Sequence, residues 1–183
     1  TTNLSVGQYD PHDGTYLGDL IVNSGEILWP INAIPGPDGN IYVSAQSGMV
    51  LVYDTSGNYL YTYDDTSDGL NNVRGISFRG DHLFVCTYYG EVAEFDGPHS
   101  RLPDFINDGV SSLWKCLFLP GGDCLLTNST SDAVEHYDAN GVYQQPVLSA
   151  LGFPEQVQFD LEMPGEFLVN DNAQIGRASC RER

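Results

Sequence analysis

Four residues carry the clearest chemical signal in this sequence. Asn32, Arg74, Lys115 and Glu155 are separated by 42, 41 and 40 residues, the near-constant spacing of equivalent positions in a repeated fold. The chain holds seven Lys and Arg against 25 Asp and Glu, a net charge of −18. Two cations in adjacent repeats therefore concentrate positive field where the rest of the molecule is negative. Such a pair can recognise an anion through charge-assisted hydrogen bonds. It can equally form ion pairs with Glu155 or another carboxylate and hold neighbouring repeats together. A second set follows these residues: Gln46 and Ser47, Tyr88 and Tyr89, Ser129 and Thr130, and Asn172. Aromatic, amide and hydroxyl groups around a cationic centre suit a sugar, a peptide carboxylate or another polar small molecule, and they suit a protein surface as well.

Other motifs point less sharply. Asp64-Asp65-Thr66-Ser67-Asp68-Gly69 spaces oxygens like the opening of a calcium loop, but a loop of that kind needs a bidentate Glu where Gly75 stands. The segment reads as an acidic connection between repeats. Arg79-Gly80-Asp81 spells an adhesion-type tripeptide on a turn, a triplet that chance readily produces. The sequence has no nucleophile elbow, zinc-protease helix or phosphate loop. His12, His82, His99 and His136 show no metal-ligand spacing. The residues themselves thus assign no catalytic group, metal ligand or cofactor. Cys86, Cys116 and Cys124 have no paired spacing and read as small buried residues.

The elements that must position these groups are marked by a second recurrence. Asp10, Asp54, Asp96 and Asp138 lie 44, 42 and 42 residues apart, each directly after Tyr9, Tyr53, Phe95 or Tyr137. An Asp at a strand end accepts a backbone N–H two residues on, and a following Gly takes positive φ without steric cost, so these four read as structural turn residues. Connections are only a few residues long, which makes consecutive strands antiparallel neighbours. The second strand of each unit is almost continuously apolar (Ile41-Tyr42-Val43, Leu83-Phe84-Val85, Leu125-Leu126, Phe167-Leu168-Val169), as a strand covered on both faces must be. Pro103 marks the last strand of the second unit as an edge. Four-stranded antiparallel units of about 42 residues are blades of a β-propeller. The expected fold is all-β, with three whole blades at 30–72, 73–113 and 114–153 between half blades at 3–29 and 154–173. First strands would line a central channel, and loops between second and third strands would open at one mouth of it.

The pattern of residues 30 to 60, a Pro before the first strand, then Pro37-Asp38-Gly39-Asn40-Ile41-Tyr42-Val43, then Tyr53-Asp54 with Gly57 and Tyr59-Leu60, resembles the NHL-repeat propellers and their six-bladed relatives. The likeness extends, with decay, over residues 4 to 172. It implies a rigid non-enzymatic scaffold whose channel mouth binds a protein or a polar or anionic small ligand. Related propellers of the gluconolactonase and streptogramin-lyase kind imply an alternative, an enzyme acting on a lactone or ester with a divalent cation held in the channel by Glu, Asn and Asp. Asn32 and Glu155 suit such ligation. Arg74 and Lys115 oppose it, because oxygen-ligand cations need anionic or neutral donors.

The strong negative charge repels nucleic acid phosphates and anionic lipid, and no apolar run is long enough to span a membrane as a helix. An extracellular or periplasmic location is expected. The chain opens on Thr1-Thr2-Asn3, without a signal peptide, and reads as a fragment whose partners include the missing blades of its parent chain. Residues 174–183 hold three of the seven basic residues and interrupt the repeat. The string resembles the translation of a common sequencing adapter, so a non-native tail is expected there.

Overall fold

A computed structural model of the chain describes residues 5–22, 25–107, 109, 111–160, 165–171 and 174–179. Its strands form five separate antiparallel sheets in chain order. The first pairs β1 (Val6–Tyr9) with β2 (Tyr16–Ile21). The second runs β3 (Pro30–Pro35), β4 (Ile41–Ala45), β5 (Met49–Tyr53) and β6 (Tyr59–Asp64). The third holds β7 (Val73–Arg79), β8 (His82–Thr87), β9 (Glu91–Phe95) and β10 (Ile106–Asn107). The fourth holds β11 (Leu113–Phe118), β12 (Cys124–Asn128), β13 (Ala133–Tyr137) and β14 (Tyr143–Leu148). The last joins β15 (Pro154–Phe159), β16 (Glu166–Asp171) and β17 (Gln174–Ser179). Every pairing follows chain order, which is the meander of a propeller blade. β17 comes from the segment that sequence reading set apart as a tail. Its ladder is made by main-chain groups alone and would accept nearly any sequence.

Tight turns close the outer hairpins. Asp54 Oδ1 accepts N–H bonds from Ser56 (2.8 Å) and Asn58 (2.9 Å), and Asp138 Oδ1 does the same for Asn140 (2.9 Å) and Val142 (3.0 Å). Asp10 Oδ1 accepts from the His12 N–H at 2.8 Å. Asp96 differs: no described hydrogen bond reaches its side chain. The turn there is closed by the main chain, Asp96 N–H to Ser100 O (3.2 Å) and Ser100 N–H to Gly97 O (3.1 Å). Beyond it the outer strand is broken by Pro103, leaving an isolated bridge at Arg101 and the two residues of β10.

Second strands explain why the sheets stand face to face. Along β4, Tyr42 packs toward the third sheet while Val43 packs toward the first. Along β8, Leu83 and Val85 face β4's sheet while Phe84 faces the fourth. Along β12, Leu126 and Leu125 divide in the same way. Four apolar clusters thus fill the four gaps between successive sheets, and each fully buried Val, Leu, Ile or Phe contributes about 1.5–3 kcal/mol. Cys86, Cys116 and Cys124 lie in the gap between the third and fourth sheets as buried free thiols, where burial pushes Cys86 up to about 12. Arg79 turns inward as well. Its guanidinium lies 4.7–4.8 Å from the rings of Phe84, Phe105 and Phe118 and donates to Gly122 O and Ala139 O, so this side chain of the Arg79-Gly80-Asp81 triplet is engaged within the fold.

The outer turns of the second, third and fourth sheets seat against the outer strand of the sheet before. A Cβ at Gly57 would stand 1.8 Å from Leu20 O, and one at Gly141 would stand 1.9 Å from Phe105 O; both residues have left-handed φ, 83° and 76°. Gly57→Ala is therefore expected to lose about 2–3 kcal/mol of unfolding free energy, measured by urea denaturation. Loss below about 0.5 kcal/mol would show that the turn does not set the spacing between sheets.

Candidate functional site

Successive first strands, β3, β7, β11 and β15, lie side by side along the inner edge of the sheets. Each has a register shift near its start, between Pro30 and Asn32, Val73 and Ile76, Leu113 and Lys115, and Pro154 and Gln156. Pairing sets Asn32 opposite Ser44, Lys115 opposite Thr127 and Gln156 opposite Asn170. Arg74 and Glu155 stand one position earlier, at the level of Ile31 and Trp114. The four residues that recur at similar spacing thus occupy two layers, because one residue of slip turns a side chain to the other face.

Hydroxyls from the second strands mark this register. Ser44 Oγ accepts from Asn32 N–H (3.1 Å) and donates to Arg74 O (2.5 Å). Thr127 Oγ1 accepts from Lys115 N–H (2.9 Å) and donates to Glu155 O (3.2 Å). Each hydroxyl joins its own first strand to the next one around the inner edge.

Lys115 is consumed by the scaffold. Its Nζ donates to Asn32 Oδ1 at 3.1 Å and to Ile76 O, while Asn32 Oδ1 also accepts the Ile76 N–H at 3.2 Å. The side chain reaches from the fourth sheet to the second, past Gly75, where a Cβ would lie 2.9 Å from Lys115 Cδ and 2.3 Å from Trp114 O. Burial pushes the ammonium below the ordinary lysine range.

Arg74 is held differently. It is 7% exposed, and its guanidinium carbon lies 4.6 Å from the Trp114 ring and 5.2 Å from the Tyr88 ring. Its Nε is buried without a partner. Among the described residues no ion pair or hydrogen bond reaches the guanidinium. Burial pushes its pKa down, while the Tyr88 and Glu155 side chains act the other way; a guanidinium stays charged under such shifts. The aromatic faces supply part of the lost hydration. Trp114 is itself fixed, since its Nε1–H donates to Ser129 Oγ (2.9 Å), which meets Ser112 Oγ (2.6 Å), and its ring stands edge-on to Phe153 at 5.7 Å.

The mouth has a backbone signature too. Trp29, Asn72, Ser112 and Phe153 each directly precede a first strand, and each has left-handed φ, 61°, 50°, 66° and 79°. The carbonyls of the first three accept the N–H groups of Gln46 (2.9 Å), Tyr88 (3.0 Å) and Ser129 (3.1 Å). This bond is what places the residue after each second strand at the mouth. Left-handed backbone costs roughly 1–3 kcal/mol at a non-glycine residue, so four such positions are strain kept in one place.

Of the residues singled out from sequence, the structure brings Arg74, Tyr88, Tyr89 and Ser129 together with Trp114, Ser112 and Phe153. Tyr89 stacks edge-on to Tyr88 at 5.8 Å, and Thr130 Oγ1 meets Ser111 Oγ at 3.1 Å. Gln46 is exposed and tied to Trp29 in the second sheet, with Ser47 half-buried beside it. Asn32 and Lys115 form the separate brace. Glu155 is half-buried and makes no ion pair with either cation; the expected ties between Glu155 and Arg74 or Lys115 are absent among the described residues. Asn172 lies outside the described residues. Sequence reading missed Trp29, Asn72, Ser112, Trp114 and Phe153. Positions 29, 72, 112 and 153 keep the repeat period, but their residue types have nothing in common.

No family model matches the sequence, and no curated protein matches it. Solved structures do share the fold, at identities that speak for fold alone. The chain is similar to the nidogen of a nidogen/laminin complex (TM-score 0.76, 15% identity, 92% of this chain and 67% of that one). It is similar to a gluconolactonase from Xanthomonas campestris (TM-score 0.72, 17% identity, 92% and 62%). It is similar to a catalytically inactive virginiamycin B lyase from Staphylococcus aureus bound to quinupristin (TM-score 0.69, 13% identity, 92% and 56%). These are six-bladed β-propellers, and the chain spans roughly three fifths of their length. The fold is part of a β-propeller, shared by binding proteins and enzymes alike.

The brace carries its own expectation. Lys115→Ala strips a donor from Ile76 O and from Asn32 Oδ1 and should lower unfolding free energy by about 1–3 kcal/mol, read by urea denaturation under tryptophan fluorescence. Unchanged stability would mean that Lys115 does not tie the blades.

Proposed function

We propose that the chain belongs to a non-enzymatic binding propeller whose mouth takes a carboxylate-bearing ligand on Arg74. The carrying observation is a buried guanidinium, clamped between Tyr88 and Trp114, whose Nε has no partner. An unpaired buried charge is costly, and a bound anion would supply two parallel hydrogen bonds in fork geometry. The exposed rings of Tyr88, Tyr89 and Phe153 offer faces for a sugar ring or a peptide side chain beside that charge. Lys115, already engaged, adds no second anion contact. The extracellular or periplasmic location expected from the acidic composition is part of the same reading.

The lactonase alternative is the weaker one. It would need Asn32 Oδ1 as a ligand to a divalent cation, but that oxygen accepts from Lys115 Nζ and from Ile76 N–H, and an ammonium stands where the cation would approach. These residues do not fit such a metal.

An array of carboxylated and neutral oligosaccharides, and of peptides with free and amidated C termini, tests the proposal. Carboxylated probes should bind in preference to their neutral counterparts, and the class that binds identifies the source of the carboxylate. Arg74→Ala should weaken that binding at least tenfold, whereas Lys115→Ala should leave it within about twofold, consistent with charged hydrogen bonds contributing about 1.5–3 kcal/mol. Equal binding of neutral and charged probes, or full affinity in the Arg74 variant, would overturn it.

A further inference from the structure

The third sheet breaks the repeat at one turn, and the sheet before it breaks the repeat at the facing strand end. His99 follows Asp96 by three residues, as Gly57 follows Asp54 and Gly141 follows Asp138. In the second and fourth sheets this position is glycine, pressed on the carbonyl of Leu20 or Phe105. In the third it is a histidine with φ 54°, whose N–H donates to Tyr63 O at 2.9 Å. Leu20, Tyr63 and Phe105 each precede the residue that pairs with a valine of the strand just inside: Ile21 with Val6, Asp64 with Val50, Ile106 with Val92. Leu148 pairs likewise with Val134. Asp64 therefore stands where the other sheets place Ile21, Ile106 and Leu148.

That substitution is costly unless something answers it. Asp64 is 0% exposed, and among the described residues no hydrogen bond of normal geometry reaches either of its carboxylate oxygens, although the His99 N–H and the Asp68 carboxyl lie beside them. Beside it, Asp68 Oδ2 meets His99 Nδ1 at 2.7 Å and accepts the Asp65 N–H at 3.2 Å. One ligand atom each from Asp64, Asp68 and His99 lie within 4.8 Å of one another, near enough to converge on one ion with a small side-chain movement. Arg101 is the nearby cation. Its Nη1 donates to Asp68 O (2.8 Å), and its Nη2 is matched by Asp104 (2.6 Å) and Glu91 (3.3 Å). Among the described residues no Lys or Arg reaches the carboxylate of Asp64 or of Asp68, whose partner is His99. Asp65, whose Oδ1 accepts the Ser67 N–H at 2.7 Å, and Asp68 together cap the single 3-10 turn Thr66–Asp68 and hold Asp68 in place.

We propose that Asp64, Asp68 and His99 form a binding site for a divalent transition-metal ion that ties the second sheet to the third. Two carboxylates and an imidazole are the donor set of Zn2+ or Mn2+ rather than of the all-oxygen sites of Ca2+ and Mg2+. Water completes the coordination through the side of the site where His99 is half-exposed. The histidine takes the strained turn position because its ring is the ligand contributed by the third sheet. This site stands apart from the ligand site on Arg74 and does not rest on it.

Titration of the metal-free chain with Zn2+ and Mn2+, by calorimetry and thermal unfolding, tests the proposal. One ion per chain should bind, and at a hundredfold excess over Kd the unfolding midpoint should rise by roughly 5–10 °C, with Ca2+ and Mg2+ giving less. Asp64→Leu restores the apolar residue of the other sheets, and His99→Gly restores their glycine. Each should abolish the metal-dependent rise, and each should unfold at or above the metal-free parent. A parent that shows no one-to-one binding, as expected if the two carboxylates simply share a proton, would overturn the proposal. So would binding that survives both substitutions, which would place the ion elsewhere, and a single variant that fails to fold leaves the other to decide.

Discussion

Every second strand in this protein is apolar on both faces, and that constraint governs the rest. A sheet of four short strands cannot hide two apolar faces from water by itself. It must stand between two others, so stability is distributed over the gaps between neighbours. The clusters built on Tyr42 and Val85, on Phe84 and Leu126, on Val43 and Leu51, and on Leu125 and Val157 are those gaps. Turn chemistry serves the same end. Gly57 and Gly141 let an outer turn approach the preceding strand to a distance that any Cβ would forbid.

Along the inner edge the problem is polar. Register shifts at the start of each first strand take N–H groups out of the ladder, and Ser44 and Thr127 answer them with hydroxyls that also reach the next strand's carbonyl. Lys115 extends this bracing across three sheets because a flexible ammonium can find an amide and a carbonyl at once. Arg74 shows the other behaviour of a buried cation. Its flat guanidinium is accommodated by two aromatic faces that give it charge stabilisation without using its donors. The same charge and similar spacing therefore lead to a cation whose donors are used by the scaffold in one case and a cation held by aromatic faces in the other.

A repeated fold supplies its own control. Wherever one sheet departs from the others at an equivalent position, the departure cannot be explained by the needs of the shared architecture. Asp64 among Ile21, Ile106 and Leu148 is such a departure, and His99 among Gly57 and Gly141 is another. The two meet in space. The left-handed residues Trp29, Asn72, Ser112 and Phe153 teach the converse lesson. Their shared backbone belongs to the architecture of the mouth, whereas their side chains differ from sheet to sheet.

The period, the antiparallel meander and the apolar second strands were legible in the chain, because they rest on local rules: turn residues at fixed offsets, short connections and two-residue alternation. Asp54 and Asp138 could be read as turn residues for the same reason, and Pro103 as the mark of a poor outer strand. The site was legible only in outline. Aligning Asn32, Arg74, Lys115 and Glu155 by spacing puts them on one ring, yet the register equivalents are Asn32, Gly75, Lys115 and Gln156, and a one-residue slip hidden in spacing of 40 to 42 leaves Arg74 and Glu155 in another layer. Which cation has its donors spent on the scaffold and which lies against aromatic rings depended on Gly75 leaving room for one side chain and Trp114 closing over the other. Those are contacts between residues some 40 positions apart, set by how the sheets are stacked and by nothing local to either residue. Sequence alone determined the blade and its repetition; only the tertiary structure decided what faces what across the gap between blades.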